Sequence, residues 1–390
     1  MIKKLESNKR MGELLQEYYL RGFFEEKNCW ITSGGPVEFL YSMDIYPVYP
    51  ENHAALIGAA KEGPKYASIA EEGGFSQDLC SYARSDIGSA TIGDSPAGGL
   101  PKPTLLLSCN NICNTVVKWY QVLGRMFNVP HFLLDMPFIR KELKDSYIDH
   151  IVSQLYDLID FLEKQMDKKF DEKRFSDTLL LSLEGIKTYG EALHMGRHKP
   201  SPMTCFDGFI NMAPIVCLRG TDAPLGFYHK MKEELEERIK NGISAVDDEK
   251  IRLLWDNIPV WYRLRSLSEF FSDHNACLVA DTYTNAWLDF GELSSSDPIR
   301  GVAEAYAPIY LNIGIERMAE KINDLIAFYD VDGVVMHSNR SCKPYSFAQY
   351  ELQRLIDVPS VIIEADQTDS RAFSEQQVQT RLEAFLEMLI

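Results

Sequence analysis

Short apolar runs bounded by glycine, proline and polar residues recur along the chain, and between them apolar positions return every three or four residues. "TLLLS" (Thr104–Ser108) follows the punctuation "GGLPKP", and "HFLLD" (His131–Asp135) follows Val129-Pro130; between the two, Val116, Trp119, Tyr120 and Leu123 recur at helical spacing. This succession predicts a strand–helix–strand unit of the parallel type, with Trp119 and Tyr120 packed on the sheet. From Ile139 to about Lys199 the pattern is helical and highly charged, with Ile148, Ile151, Leu155, Leu158 and Leu162 on one stripe. Short runs then return: "RLLWDNIPV", "ACLVADTYT", "DGVVMHS" and "SVIIEAD" predict strands, while Ala303 to Tyr329, Pro344 to Ile356 and Ser374 to Leu389 predict helices. Strands alternating with helices predict a second parallel α/β domain. The expected organisation is an N-terminal α/β domain over 1–138, a helical connection over 139–210 and a C-terminal α/β domain over 211–390.

Composition narrows the class. With 45% hydrophobic and 25% charged residues in 390, the chain sits near the average for globular proteins, away from disordered, collagenous and coiled-coil compositions. Its 40 Lys and Arg against 57 Asp and Glu give a net charge of −17, with no basic run to offset it. Sequence-independent nucleic-acid binding needs a cationic surface and is disfavoured. The start lacks a secretory pattern, and no segment approaches about 18 uncharged apolar residues, so a cytoplasmic protein free of the membrane is expected. In such a chain eight cysteines point to packing, metal binding or catalysis rather than to a disulfide framework.

Three of those cysteines occupy chemically useful places. Cys113 follows the strand "TLLLS", Cys342 follows "DGVVMHS", and Cys80 follows the glycine-containing "EEGGFSQ" at the start of a polar helical stretch. At helix starts, backbone N–H groups can stabilise thiolates and cluster sulfides, and a cleft between the two domains could gather all three. Zinc is disfavoured: no CxxC pair exists, and the pair His194 and His198 has neither the glutamate of a metalloprotease helix nor a nearby cysteine and reads as solvated. Dense ferredoxin spacing is absent as well. On spacing alone, ordinary buried cysteine is the simpler reading. The nearest phosphate-loop imitation, "GSATIGDS" (Gly88–Ser95), has Asp94 where that loop needs lysine, and there is no GxGxxG.

A resemblance shifts the balance. "SGGPVEFLYSMDIYPVYPENHAAL", "CSYARSDIG", "NNICNTVVKWYQVL" and "HSNRSCKPYSFAQYELQRLIDVPSVIIEADQTD" resemble, in order, the motifs of the 2-hydroxyacyl-CoA dehydratase and benzoyl-CoA reductase family, from about Trp30 to the C-terminus. Within it the chain looks most like the smaller cluster-bearing subunit of ATP-dependent benzoyl-CoA reductases. The resemblance implies two flavodoxin-like parallel-sheet domains with an additional helical segment, and a [4Fe-4S] cluster held by Cys80, Cys113 and Cys342. Cys109 is then packing, because the motif cysteine precedes an Asp or Asn at the helix start, as Cys113 precedes Asn114, whereas Cys109 falls at the strand end, where cysteines are usually buried. Cys29, Cys205, Cys217 and Cys277 match no ligand motif.

The same resemblance implies an acyl-CoA substrate, a ketyl radical anion made from its thioester, a related second subunit, and an ATP-dependent iron–sulfur activator as electron source. A homodimeric protein with a double-cubane [8Fe-9S] cluster reducing small molecules, and a non-catalytic electron relay, are the alternatives. Ser33 and Glu51 fall in the segments that carry a hydroxyl and an acid–base carboxylate in the dehydratases; the plainer readings are a helix cap near Pro36 and an exposed loop acid. His53 is a second candidate acid or a packing histidine. Arg340 and Lys343 could contact CoA phosphates or tune a cluster, against simple solvation.

Overall fold

The apolar runs become strands buried on both faces: every residue of Leu105–Cys109, Ile251–Asp256 and Ala276–Asp281 is shielded from solvent. Such strands belong in parallel sheets covered by helices on both sides. The computed structural model describes residues 4–292 and 296–390 and holds two of these sheets. The first comprises β1 (Asn28–Ile31), β2 (Tyr46–Val48), β3 (Leu105–Cys109) and β4 (His131–Leu134), in the order β2-β1-β3-β4. The second comprises β5 (Ile251–Asp256), β6 (Ala276–Asp281), β7 (Gly333–Asn339) and β8 (Ser360–Ala365), in the order β6-β5-β7-β8. All neighbours pair in parallel.

Both orders are the flavodoxin-like 2-1-3-4, so the mixed α/β fold with two parallel sheets is as the sequence implied. In each sheet the winding reverses between the first and third strands. Beyond the carboxyl ends of β1 and β3, and of β5 and β7, the chain therefore leaves a crevice.

The charged segment after the first sheet folds as two long helices, Asp145–Met166 and Glu172–Leu193, whose stripe Ile148, Ile151, Leu155, Leu158 and Leu162 is buried. Two readings need correction. The stretch from Ala303 to Tyr329 is two helices, Pro298–Tyr306 and Ile315–Tyr329, because Pro308 blocks continuation and Gly314 lies against the Arg140 carbonyl, where a Cβ would sit 2.2 Å from its oxygen. Strands β1 and β2, unforeseen from the sequence, complete the first sheet.

Deep in the helical layer, Arg219 and Glu38 form a fully buried pair: Arg219 Nε donates to Glu38 Oε1 at 3.2 Å, and Ser182 Oγ and Tyr306 Oη also donate to this carboxylate, at 2.8 and 2.6 Å. The guanidinium lies over the rings of Trp287, Phe290 and Tyr306.

Candidate active site

Three of the described helices have a cysteine at the N-cap. Cys80 is the N-cap of Ser81–Ile92, Cys113 of Asn114–Phe127 and Cys342 of Lys343–Leu355, and none of the three caps through its side chain. Ser, Thr, Asp or Asn usually fills that position and claims a first-turn N–H. Here the positive helix ends instead face a common space. Cys113 follows β3 and Cys342 follows β7, each at the carboxyl edge of its sheet, and Ser33 follows β1. The two crevices thus meet in one cavity, about 900 Å³ of empty space with its open mouth included, lined by all three cysteines together with Ser33 and Glu51.

Hydrogen bonds tie the cysteine loops together. Ser81 N–H donates to Ser341 Oγ at 3.0 Å, and Ser341 Oγ donates to Asp366, joining the start of the Cys80 helix to the loop before Cys342. Gln367 Nε2 donates to Cys80 Sγ at 3.3 Å, while its Oε1 accepts from Asn339 Nδ2 at 2.7 Å. Arg84 bridges Glu71 and Asp369, at 2.5 and 2.9 Å.

Burial dominates the thiols. It pushes Cys80 up to about 12, with Cys113 adding and the first-turn N–H groups of Ala83 and Tyr82 opposing. Cys342 is raised far above the usual thiol range by burial and then by Cys80 and Cys113; Cys113 is raised by burial against the Val116 and Thr115 N–H groups. No group of three His, Cys, Asp or Glu among the described residues lies close enough to hold a single metal ion. The cysteines share a wall but not one ion's coordination sphere.

Glu51 is no exposed loop acid. It sits half-buried in the first turn of Pro50–Ala59, accepting from the Ser33 N–H at 3.2 Å and the Tyr120 hydroxyl at 3.3 Å. Burial raises its pKa from 4.5 to about 7; these hydrogen bonds oppose the rise and the nearby Asp86 charge adds to it. Ser33 caps no helix, for the next one, Glu38–Ser42, starts from Val37. The Ser33 backbone holds Glu51, and Ser33 itself lines the cavity.

Other candidates fall elsewhere. Cys109 is fully buried at the end of β3, its thiol pushed up to about 12 by burial. Cys29, Cys205, Cys217 and Cys277 are buried, and all eight cysteines are free. His53 is buried behind the wall. Ser95 Oγ accepts from the Ala97 and Gly99 N–H groups, so it donates to His53 Nε2 at 2.8 Å and leaves Nδ1–H facing Asp86 Oδ1 at 3.6 Å. Arg340 and Lys343 are exposed and outside the cavity lining; Arg340 is 3.6 Å from Asp78. His194 and His198 are exposed, as expected.

Sequence reasoning missed Gln367, Ser341 and the aromatic wall. The polar run "DQTD" directly after β8 was a usable signal, since strand carboxyl ends are where ligands sit. Trp119 has a double place: it packs on the sheet as expected, its Nε1 donates to Asp86 Oδ2 at 2.9 Å, and it lines the cavity. No helix among the described residues is long and apolar enough to cross a membrane.

Residues 32–389 match the family described as 2-hydroxyglutaryl-CoA dehydratase, D-component. The chain is 34% identical over 404 residues to the (R)-2-hydroxyisocaproyl-CoA dehydratase alpha subunit of Clostridioides difficile, covering 100% of this chain and 97% of the relative. It is 34% identical over 381 residues to the lactoyl-CoA dehydratase alpha subunit of Anaerotignum propionicum, covering 93% and 90%. Identity to a benzoyl-CoA reductase subunit of Thauera aromatica is lower, 28% over 374 residues, covering 90% and 86%. The chain belongs to the 2-hydroxyglutaryl-CoA dehydratase D-component family, as an enzyme subunit of the dehydratase or reductase type.

Proposed function

We propose that this chain is the cluster-holding, substrate-facing subunit of a 2-hydroxyacyl-CoA dehydratase, with Cys80, Cys113 and Cys342 as ligands of a [4Fe-4S] cluster. The observation that carries the reading is the convergence of three thiols at helix N-cap positions and a near-neutral carboxylate on one cavity. The donor set suits the group. Three thiols without capping bonds, at positive helix ends and too dispersed for one ion, match a polynuclear centre with sulfide charge to balance. Bound there, the cluster would supply a single low-potential electron to the thioester carbonyl and an iron free of protein ligands.

The chain's own residues then do the remaining work. The β-hydrogen of a 2-hydroxyacyl thioester is hardly acidic, so a proton-moving group has to sit at the substrate, out of bulk water, and titrate near neutrality. Glu51 has that burial and that pKa, and its two donors fix the carboxylate in place. Ser33 presents a hydroxyl beside it. The aromatic wall of Tyr82, Trp119 and Trp287 keeps water away from the reacting atoms.

A related second subunit is supported by relatives named as alpha subunits. The chain's missing phosphate loop fits an electron delivered by a separate ATP-dependent iron–sulfur activator. The test is an anaerobic assay of the complex with activator, ATP, reductant and a 2-hydroxyacyl-CoA. Formation of the 2-enoyl-CoA, suppressed by Glu51→Gln, is the expected result. Ring reduction of benzoyl-CoA without dehydration would move the chain to the reductase branch, and full turnover by Glu51→Gln would reduce it to an electron relay.

A further inference from the structure

Glu51 stands between two cavities. The second adjoins the first, sharing Ser33, Glu51, Tyr283 and Trp287, and continues past Met11 and Leu15 of the helix Ser7–Gly22. Together they offer the space around the proposed reacting centre, and among the described residues no lysine, arginine or histidine lines either one. Their polar side chains are few: the cysteines, Ser33, Glu51, Thr115, Gln367 and asparagines at the far end, set among tyrosines, tryptophans and aliphatic residues.

A cation does lie just behind the wall, sealed away. Arg219 is fully buried, its guanidinium paired to Glu38, its Nη2 donating to the Tyr306 hydroxyl at 2.7 Å, and its face covered by Trp287 and Phe290, which line the cavity. To reach it, a ligand carboxylate would have to displace two rings and break the buried pair. Among the described residues lining the cavity the only carboxylate is Glu51, which repels a second negative charge when ionised. An unpaired carboxylate buried against such a surface loses its hydration with nothing in return.

We propose that the acyl group accepted here is uncharged and apolar, a branched aliphatic or arylalkyl chain, and that acyl groups ending in a carboxylate are rejected. This deepens the dehydratase reading and rests on it. The rejection comes from the missing counter-charge rather than from size, so an acid and a hydrocarbon chain of equal length are discriminated.

The test uses the anaerobically purified protein with any subunit that copurifies. Two 2-hydroxyacyl-CoA esters of matched chain length, one ending in an isopropyl group and one in a carboxylate, are compared for binding by calorimetry and for kcat/KM. The expected result is binding and turnover favouring the hydrocarbon ester on the order of 100-fold. Leu311→Arg, which places a guanidinium on the partly exposed rim of the lining, is expected to narrow that ratio at least tenfold, by about 1.4 kcal/mol. Affinities and rates for the two esters within tenfold of each other, or failure of both to bind, would overturn the proposal. A binding preference kept without any dehydration would sustain it while removing the dehydratase reading.

Discussion

Replacing Glu51 with glutamine keeps the shape and one acceptor oxygen for the Ser33 N–H, turns the side facing the Tyr120 hydroxyl into an N–H donor to it, and removes a charge that the fold does not welcome. Burial lifts this carboxyl from 4.5 to about 7. At about 1.4 kcal/mol per unit, the folded state carries a cost of about 3 kcal/mol once Glu51 is ionised. The sign follows from proton binding. Between pH 4.5 and 7 the folded protein holds a proton that the unfolded chain has released, so stability falls as pH rises through this window. Below pH 4.5 both states are protonated and the cost vanishes; above pH 7 it is complete. Glutamine never ionises and escapes it. Glu51→Gln is therefore expected to match the wild type near pH 4.5 and to gain about 3 kcal/mol at pH 8, which for 390 residues is a rise in Tm of about 4 °C. Anaerobic scanning fluorimetry of both proteins across that range reads the difference. Turnover should fall by at least about 100-fold in the same variant, as expected for loss of a proton-transferring group. Equal Tm values at pH 8 would refute the claim that burial strains this carboxylate.

Other consequences can be checked separately. Gln367→Leu removes the donor to Cys80 Sγ, and because hydrogen bonds to cluster sulfurs favour the reduced state, a redox titration should show a lower potential with iron content unchanged. Arg219→Met leaves Glu38 buried without its cation and should cost about 3–5 kcal/mol, seen as a Tm drop of several degrees. Gly88→Ala would put a Cβ 1.9 Å from the Tyr66 carbonyl oxygen, forcing apart the helices Gly63–Glu72 and Ser81–Ile92; a loss of about 3 kcal/mol in thermal or urea unfolding is expected.

Much of this arrangement was legible because parallel strands advertise themselves. Leu105–Cys109 and the runs in the second half are mostly apolar without strict alternation, the signature of strands covered on both faces. β2 escaped notice for a physical reason: it is three residues long, contains Pro47 and lies at the sheet edge, where a missing N–H is tolerated. β1, "NCWI", carries too few residues for a periodicity to show. The break in Ala303–Tyr329 had its signals in Pro308 and Gly314, but apolar spacing on both sides masked them. The cysteine positions could be read because each follows a strand or a glycine-containing turn and precedes a helix. Gln367 against Cys80, Trp119 against Asp86, and the sealed Arg219 join segments remote in sequence, and no local pattern encodes such contacts.

The central claim is that three cysteines, one at each of three converging helix starts, hold one cluster. Anaerobic purification followed by iron and sulfide analysis, with EPR after reduction, tests it across single alanine variants. The account predicts about four irons per chain in the wild type and in Cys109→Ala, whose thiol is packed at the end of β3, and loss of the signal in Cys80→Ala, Cys113→Ala and Cys342→Ala. About eight irons per chain would turn the site to the double-cubane form. Iron retained in Cys113→Ala but lost in Cys109→Ala, or no iron under strict anaerobiosis, would contradict the account.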